Sequence, residues 1–298
     1  MSRPAYPRSS RLRHSRVLRG VSYHATVQIG KRLAKYVPLI FVPGYPKSGT
    51  TWACQMIGDY MQVPFPRWYL LPLAGEFIVH GHTTVSPKFE RVVYTVRDGR
   101  DVMVSLYYFL GKRLPDGGPE SFSPKQKRWF PAATSRDDVM QHIRTHLPAF
   151  VESQMRNPHS SDVTWAEHVE TYVRAKAAPR EGQRLTCLRY EDLRTDPIGA
   201  MTQAMTELTG TEADAERVQW SVEKYTFARQ SGRSAGQEDR KNFLRKGAVG
   251  DWQNHFSREA AESFDRVCGE TLVSFGYAPD RSWVQACPPL AEFASASD

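Results

Sequence analysis

The chain contains no apolar run approaching the ~20 residues that a membrane-spanning helix needs. Its N-terminus also lacks the apolar core of a secretion signal, so no signal peptide is expected. Cysteine is scarce: Cys54, Cys187, Cys268 and Cys287 are widely spread and form no C-x-x-C pair. That pattern fits reduced, mostly buried thiols in a cytoplasmic protein and argues against a disulfide frame or a zinc site. Acid is missing from the first part of the chain, where the first acidic residue is Asp59. Residues 1–36 hold nine Lys/Arg, which leaves residues 37–298 at −1 within the total of +8. The basicity therefore belongs to an N-terminal arm, and binding of nucleic acid by the body is not expected. The arm reads either as a solvated tail or as a segment drawn to an anionic acceptor or the inner membrane face, at about 1 kcal/mol per basic residue near such a surface. At 298 residues the chain is long enough for one large α/β domain or two small ones. The expected division is a basic arm over 1–36 and a single domain over 37–298.

What is present is a repeating order. Residues 38–42, PLIFV, read as a buried strand that stops at Pro43-Gly44, and TTWACQMIGDYM reads as a helix starting near Thr50. A second buried strand, VVYTV at 92–96, runs through RDGRD into the helical DVMVSLYYFL. A third, LTCLRY at 185–190, is followed by EDL and a helix opened by Pro197. Strand–loop–helix three times over predicts a parallel sheet flanked by helices in an α/β fold. Residues 111–135 read as a long loop or lid, residues 137–155 and 163–178 as helices, and 229–250 as a polar, glycine-rich loop. No internal repeat is visible.

Residues 44–52 read GYPKSGTTW. Gly44 and Gly49 have the spacing of a phosphate-binding G-x-x-x-x-G-K-[ST] loop, but Thr50 stands where that loop has its lysine, and Lys47 comes three residues early. A strand, a glycine-bearing turn and a helix N-terminus aim backbone N–H groups and the positive end of a helix dipole at one anion. A lysine inside the turn would face the group attached to that anion.

The string YPKSGTTW resembles the 5′-phosphosulfate loop of the cytosolic-type sulfotransferases, including bacterial members, which use 3′-phosphoadenosine 5′-phosphosulfate (PAPS). VVYTVRDGRDVMVSLYYF is similar to that family's 3′-phosphate segment, LRYEDL to its Tyr-Glu-Asp segment, and FLRKGAVGDW to its C-terminal cofactor loop. The four lie in the family's order across roughly residues 38–256. The resemblance implies a P-loop-like fold, PAPS as donor, a hydroxyl acceptor and no metal. It also implies that Lys47, Ser48, Gly49, Thr50 and Thr51 cradle the 5′ end, with Lys47 stabilising the leaving phosphate. Arg97 and Ser105 would hold the 3′-phosphate, clamped by Arg245, Lys246 and Gly247. Trp52 would stack on adenine, with Phe227 and Tyr190 nearby. His82 would be the general base, although the family's Lys-Thr-His is here His80-Gly81-His82, and the family's Thr-Ser before the phenylalanine is Tyr225-Thr226. A sulfuryl group carries less charge than a phosphoryl group, so a lysine with backbone N–H groups could suffice where phosphoryl transfer usually takes Mg²⁺.

Two other classes compete. A Mg²⁺-dependent P-loop kinase or NTPase would use Asp98, at the end of a buried strand, to hold the metal. A non-catalytic anion- or membrane-binding protein would be led by the basic arm. His142 and His146 fall at i, i+4, a spacing that can chelate a metal, but no third ligand is indicated. The loops 62–80, 111–160 and 229–244 are expected to shape the acceptor pocket. Phe65, Trp68, Tyr69 and Phe77 would suit a sugar face or a phenol there, and saccharide, lipid and phenolic acceptors all stay open.

Overall fold

The computed structural model describes residues 16–33, 36, 39–66, 76–159, 162–234, 236–240, 242 and 245–295. The first half of the basic segment, and Trp68 and Tyr69, lie outside them. Four strands, β1 (Leu39–Pro43), β2 (Phe77–Gly81), β3 (Arg91–Val96) and β4 (Arg184–Arg189), form a parallel sheet in the order β2-β1-β3-β4. Helix α1 (Arg16–Arg32) precedes the sheet, and α2 (Thr50–Met61) and α3 (Gly99–Gly111) follow β1 and β3. The chain then forms α4 (Pro124–Trp129), α5 (Arg136–Gln141), α6 (Ile143–Arg156) and α7 (Trp165–Ala177) before β4. After it come α8 (Tyr190–Thr195), α9 (Pro197–Thr209), α10 (Ala215–Lys224), α11 (Phe227–Ser231), α12 (Arg258–Ser274), α13 (Trp283–Ala286) and α14 (Leu290–Ser295). Among the described residues no helix is long and apolar enough to cross a membrane.

The apolar strand runs are explained by a sheet covered on both faces. Side chains alternate along each strand, so Leu39, Phe41, Phe77, Val79, Val92, Tyr94 and Val96 join one buried cluster with residues of α3, α6, α7 and α12. Ile40, Val42, Ile78, Val93 and Leu188 join the other with residues of α2, α9 and α10.

Three expectations change. Strand β2 is absent from the sequence reading because its run FIVHG is cut short by His80 and Gly81, yet it pairs with β1 over its whole length. Phe77 lies in it and is 4% exposed in the core, so it does not line a pocket. The stretch 111–135 is not one loop: a Ser123–Gln126 capping box starts α4, whose Trp129 is buried. Within the basic segment, α1 buries Ser22, Thr26 and Val27, and the Tyr23 hydroxyl donates to Thr83 Oγ1 (3.1 Å), just past β2.

The order places the crossing from one side of the sheet to the other between β1 and β3, since β2 lies on one flank of β1 and β3 on the other. In open parallel α/β sheets, ligands bind at the carboxyl ends of the strands at such a switch point. The segments leaving that point are Gly44–Gly49 and Arg97–Asp98. Gly44 makes the approach possible: a Cβ there would stand 2.0 Å from Thr95 Oγ1 and 2.7 Å from the Thr95 carbonyl oxygen. Gly44→Ala should therefore cost about 1–3 kcal/mol through overpacking. Gly20→Ala on α1, with nothing within 4 Å, should gain up to about 1 kcal/mol. Urea unfolding of the two variants checks this contrast.

Candidate active site

The loop from Gly44 to Gly49 closes in an unusual backbone state. Lys47 has φ 75° and Gly49 φ 82°, flanking Ser48. The left-handed region costs a non-glycine residue of order 1–3 kcal/mol and persists where the surroundings enforce it, often at functional sites. The turn leads into α2, whose first helical bond within this region runs from Ala53 N to Gly49 O. The amides of the first turn ahead of it lack a helical partner by the geometry of any helix start. Gly49 has no room for a side chain, because a Cβ would stand 2.9 Å from the Tyr190 ring. Ser48 is 2% exposed, and its Oγ has no hydrogen-bond partner among the described residues. Such a buried orphan calls for a ligand or water. At Thr50, Thr95 Oγ1 donates to Pro43 O, which leaves Thr50 as the donor in the 2.8 Å contact between the two hydroxyls. Its hydroxyl proton is thus spent on β3, and what Thr50 offers an anion is its backbone N–H. Thr51 is half-buried on the same first turn.

Lys47 sits in a positive field. Its ammonium lies 4.7 Å from the Phe109 ring centroid. Burial, with the charges of Lys112, Arg97, Arg113 and Arg245, brings its pKa down from 10.5 to about 7. His82, one residue past β2, is joined to the same loop through its Nδ1, 2.8 Å from Gly44 O. A carbonyl can only accept, so Nδ1 carries the proton and Nε2 is the basic nitrogen. Burial lowers the His82 pKa below 6.5, and the charge of Lys47 adds to this against the Gly44 hydrogen bond. His82 is therefore neutral at pH 7. The His80 ring lies 5.2 Å from that of His82 and 5.9 Å from Phe65.

Arg97 leaves β3 8% exposed. Its Nη2 donates to Asp101 (3.3 Å) and to Ala248 O (3.1 Å), its guanidinium lies 4.3 Å from the Tyr190 ring centroid, and its Nε has no partner among the described residues. Ser105 is half-buried two turns into α3. Asp98 is not available to a metal. It caps α3 through Arg100 N and is gripped by Arg100 Nε and Nη2, while Arg100 is covered by Trp252 at 3.8 Å. Together with the displaced lysine, this removes the structural basis of the kinase reading.

The residue that organises this side is Asp101, which the sequence reading passes over. Besides Arg97, its 1%-exposed carboxylate accepts from the backbone N–H groups of Gly250 and Trp252, both at 2.9 Å. The C-terminal loop is thereby pinned to the start of α3. Arg245 and Lys246 are braced from behind by Asp251 at 2.5 and 2.6 Å, and Arg245 also pairs with Glu238. Gly247 brings its backbone against the Phe227 ring. Trp52 Nε1 donates to Tyr225 O (2.8 Å), and the Trp52 and Tyr190 ring centroids are 6.0 Å apart. Trp52 of α2 and Tyr190 of α8 thus lie together, with Phe227 of α11 two residues past the carbonyl that Trp52 holds. His142 and His146 are elsewhere, both against Asp138 (3.0 and 3.1 Å) at the break between α5 and α6. Among the described residues no group of three or more His, Cys, Asp or Glu could hold a metal.

This arrangement defines a class: a parallel α/β fold with a phosphate-loop-like turn at its switch point and cations converging on it. The family follows from comparison. Residues 77–276, about two thirds of the chain, match the profile of the sulfotransferase domain, and the chain belongs to that family. Among curated relatives, rat sulfotransferase 2A1 is 25% identical, with 86% of this chain and 94% of the relative aligned. The guinea pig 3-alpha-hydroxysteroid sulfotransferase is 26% identical, with 79% and 83% aligned. The fold is shared with mouse sulfotransferase SULT7A1 complexed with PAP (TM-score 0.57, 17% identity, 94% and 96% covered). It is shared also with retinol dehydratase in a complex with retinol and PAP (TM-score 0.52, 16% identity, 78% and 81% covered). The protein is a sulfotransferase.

Asp101→Ala strands Arg97 and two backbone N–H groups, so it should lower unfolding stability by about 3–5 kcal/mol in urea titrations. Asp101→Asn keeps an acceptor and should lose markedly less.

Proposed function

We propose that this sulfotransferase takes PAPS as donor and a hydroxyl of a saccharide, lipid or phenol as acceptor, with Lys47 and His82 as its catalytic residues. The observation that carries this is the hydrogen bond from His82 Nδ1 to Gly44 O, which makes the base and the anion loop one unit. The residues suit the donor on structural grounds: Ser48 Oγ and Arg97 Nε are buried polar atoms without partners among the described residues, at the two loops of the switch point.

We assign the 5′ end to the amides of Ser48, Gly49, Thr50 and Thr51 with the Ser48 hydroxyl, where the dipole of α2 favours negative charge. Arg97, Ser105 and the loop of Arg245, Lys246 and Gly247 take the 3′-phosphate through charge-assisted hydrogen bonds. Trp52, Tyr190 and Phe227 surround the base. When bound, PAPS supplies an activated sulfuryl group, whose transfer forms the acceptor O–S bond and breaks the bond to the bridging oxygen. His82 Nε2 takes the acceptor's proton, a role worth typically 10²–10⁴-fold. Lys47 holds positive charge where the leaving phosphate becomes anionic, which is where stabilisation accelerates reaction. The strain stored at Lys47 is consistent with a residue held for this task rather than for stability.

Thermal unfolding with 3′-phosphoadenosine 5′-phosphate in EDTA tests the donor. A ligand at ~100 times its Kd stabilises by about 2.7 kcal/mol, and that shift should vanish in Arg97→Ala. His82→Ala should keep the shift but lose turnover at least about 100-fold; stabilisation only by ATP with Mg²⁺ would sink the reading.

A pH dependence follows from Lys47. Free Lys47 titrates near 7, and an anion favours its protonated form. Below pH 7 the free enzyme already holds the proton, and affinity for the bisphosphate is full. Above pH 7 binding must take up a proton, so affinity should fall, approaching tenfold per unit up to the pKa of the complex. Calorimetric titrations from pH 7 to 9 should show this decline in the wild type and not in Lys47→Arg, whose guanidinium stays charged; a flat wild-type profile counts against it.

A further inference from the structure

The segment that the sequence reading sets apart from the domain reaches the reaction centre through one side chain. Tyr23, Val27 and Gly30 fall at i, i+4 and i+7, so α1 carries them on one stripe. Val27 shares the core with Phe41, and Gly30 lets the helix press on that ring, since a Cβ there would stand 2.3 Å from Phe41 Cζ. Phe41 in turn stacks on Phe89, with centroids 3.7 Å apart. This end of α1 is therefore fixed to β1, and Tyr23, one turn earlier, is carried to the carboxyl end of β2. There its hydroxyl donates to Thr83 Oγ1 at 3.1 Å. It also fills the place of a side chain at Gly81, where a Cβ would stand 2.2 Å from Tyr23 Oη and 3.0 Å from its Cζ. The residue between Gly81 and Thr83 is His82.

A base acts only while its nitrogen stays within hydrogen-bond reach of the proton it takes, and a misplacement of about 1 Å can cost 10²-fold. His82 stands where the backbone offers little restraint of its own. Strand β2 ends at Gly81, and glycine has a wider conformational range than other residues. Two segments close on that glycine: Gly44 N donates to Gly81 O at 3.2 Å, and the Tyr23 hydroxyl packs into its side-chain space. On the far side of His82, Thr83 accepts from Tyr23, and Val85 N donates to Thr171 Oγ1 at 3.1 Å. Burial raises the Tyr23 pKa above its usual 10, against the hydrogen bonds with Thr83, so the hydroxyl keeps its proton and stays a donor. The packing also accounts for the glycine of His80-Gly81-His82, where the family's Lys-Thr-His has a larger residue: the space is taken.

We propose, resting on the reading of His82 as the general base, that Tyr23 is its positioning residue. Packed over Gly81 and bonded to Thr83, the hydroxyl fixes the backbone on both sides of His82. It thereby keeps the ring at Gly44 O, with Nε2 turned to the acceptor. Helix α1 is thus a working part of the reaction centre.

The test reads His82 directly, by NMR of the full chain labelled with ¹⁵N-histidine and saturated with 3′-phosphoadenosine 5′-phosphate (PAP). Loss of signals in His82→Gln identifies them, and the wild type should show one tautomer with the proton on Nδ1. Tyr23→Phe keeps the ring and removes the hydroxyl. It should raise the share of the Nε2-protonated form about fivefold or more, as expected when a hydrogen bond is weakened, while PAP still raises the unfolding midpoint as in the wild type. Gly81→Ala alone should produce the same change, because the new methyl group displaces the hydroxyl. In Tyr23→Ala, where the space is open, adding Gly81→Ala should move the spectrum back toward the wild type. Unaltered His82 signals in Tyr23→Phe overturn the inference, as does an effect of Gly81→Ala that is the same whether or not Tyr23 is replaced. Loss of PAP stabilisation in Tyr23→Phe overturns it too, since Tyr23 would then serve the fold as a whole. Turnover retained in His82→Ala would instead sink the assignment of the base, whatever the spectra show.

Discussion

A single carboxylate joins the two halves of this site. Asp101, at the start of α3, accepts from Arg97 and from the backbone of Gly250 and Trp252. Arg97 is the residue that follows β3, and Gly250 and Trp252 lie some 150 residues later, so without this contact the strand end and the C-terminal loop have no common reference. Arg100 completes the joint by gripping Asp98 while packed against Trp252 and Trp283. The Trp165 indole, which donates to Arg97 O, closes it from α7. A buried carboxylate with three donors is costly to break and cheap to keep, and the geometry of the site depends on it.

Charge is distributed across the cleft with a purpose that follows from this frame. The basic residues of the C-terminal loop have acids behind them, Asp251 and Glu238, which hold Arg245 and Lys246 in place without covering Arg97 Nε. Around Lys47 the balance is different, since the charges that bear on it are cations and its pKa falls accordingly. The same lysine is also held at positive φ. Both features lower stability, and the surrounding cations favour an incoming anion, which is the exchange expected where a fold gives up stability for function.

Much of this was legible in the sequence because short-range rules govern it. The strand in PLIFV ahead of Gly44, the helix at Thr50, and VVYTV leading into the helix after Arg97 stand as read, and so does the strand in LTCLRY, except that Tyr190 leaves it to open the short helix α8 before the one at Pro197. The gathering of Lys47, Arg97, Tyr190, Arg245 and Phe227 around one switch point follows from their motifs once the order is known. Other readings failed for physical reasons. In β2 a histidine and a glycine interrupt the apolar run, and only pairing with β1 makes it a strand. Phe77, expected with Phe65 in the acceptor pocket, is sent into the core by the alternation along β2. Asp98 had the place of a metal ligand, and its partner Arg100 lies too close in sequence for pattern alone to distinguish a ligand from a cap.

The sequence by itself determined the local units: where the anion loop lies, which lysine it contains, which helix N-terminus faces it, and that the strands are buried on both faces. Those depend on φ preferences, periodicity and turn chemistry, which act within a few residues. The tertiary structure alone decided the functions that require two distant groups. It fixed the proton of His82 on Nδ1 through Gly44, spent the hydroxyl of Thr50 on Thr95, tied Arg97 to the C-terminal loop through Asp101, and laid the Tyr23 hydroxyl over Gly81. Each is a contact between segments that approach only when the sheet is assembled, and a hydrogen bond or charge pair exists only at that distance.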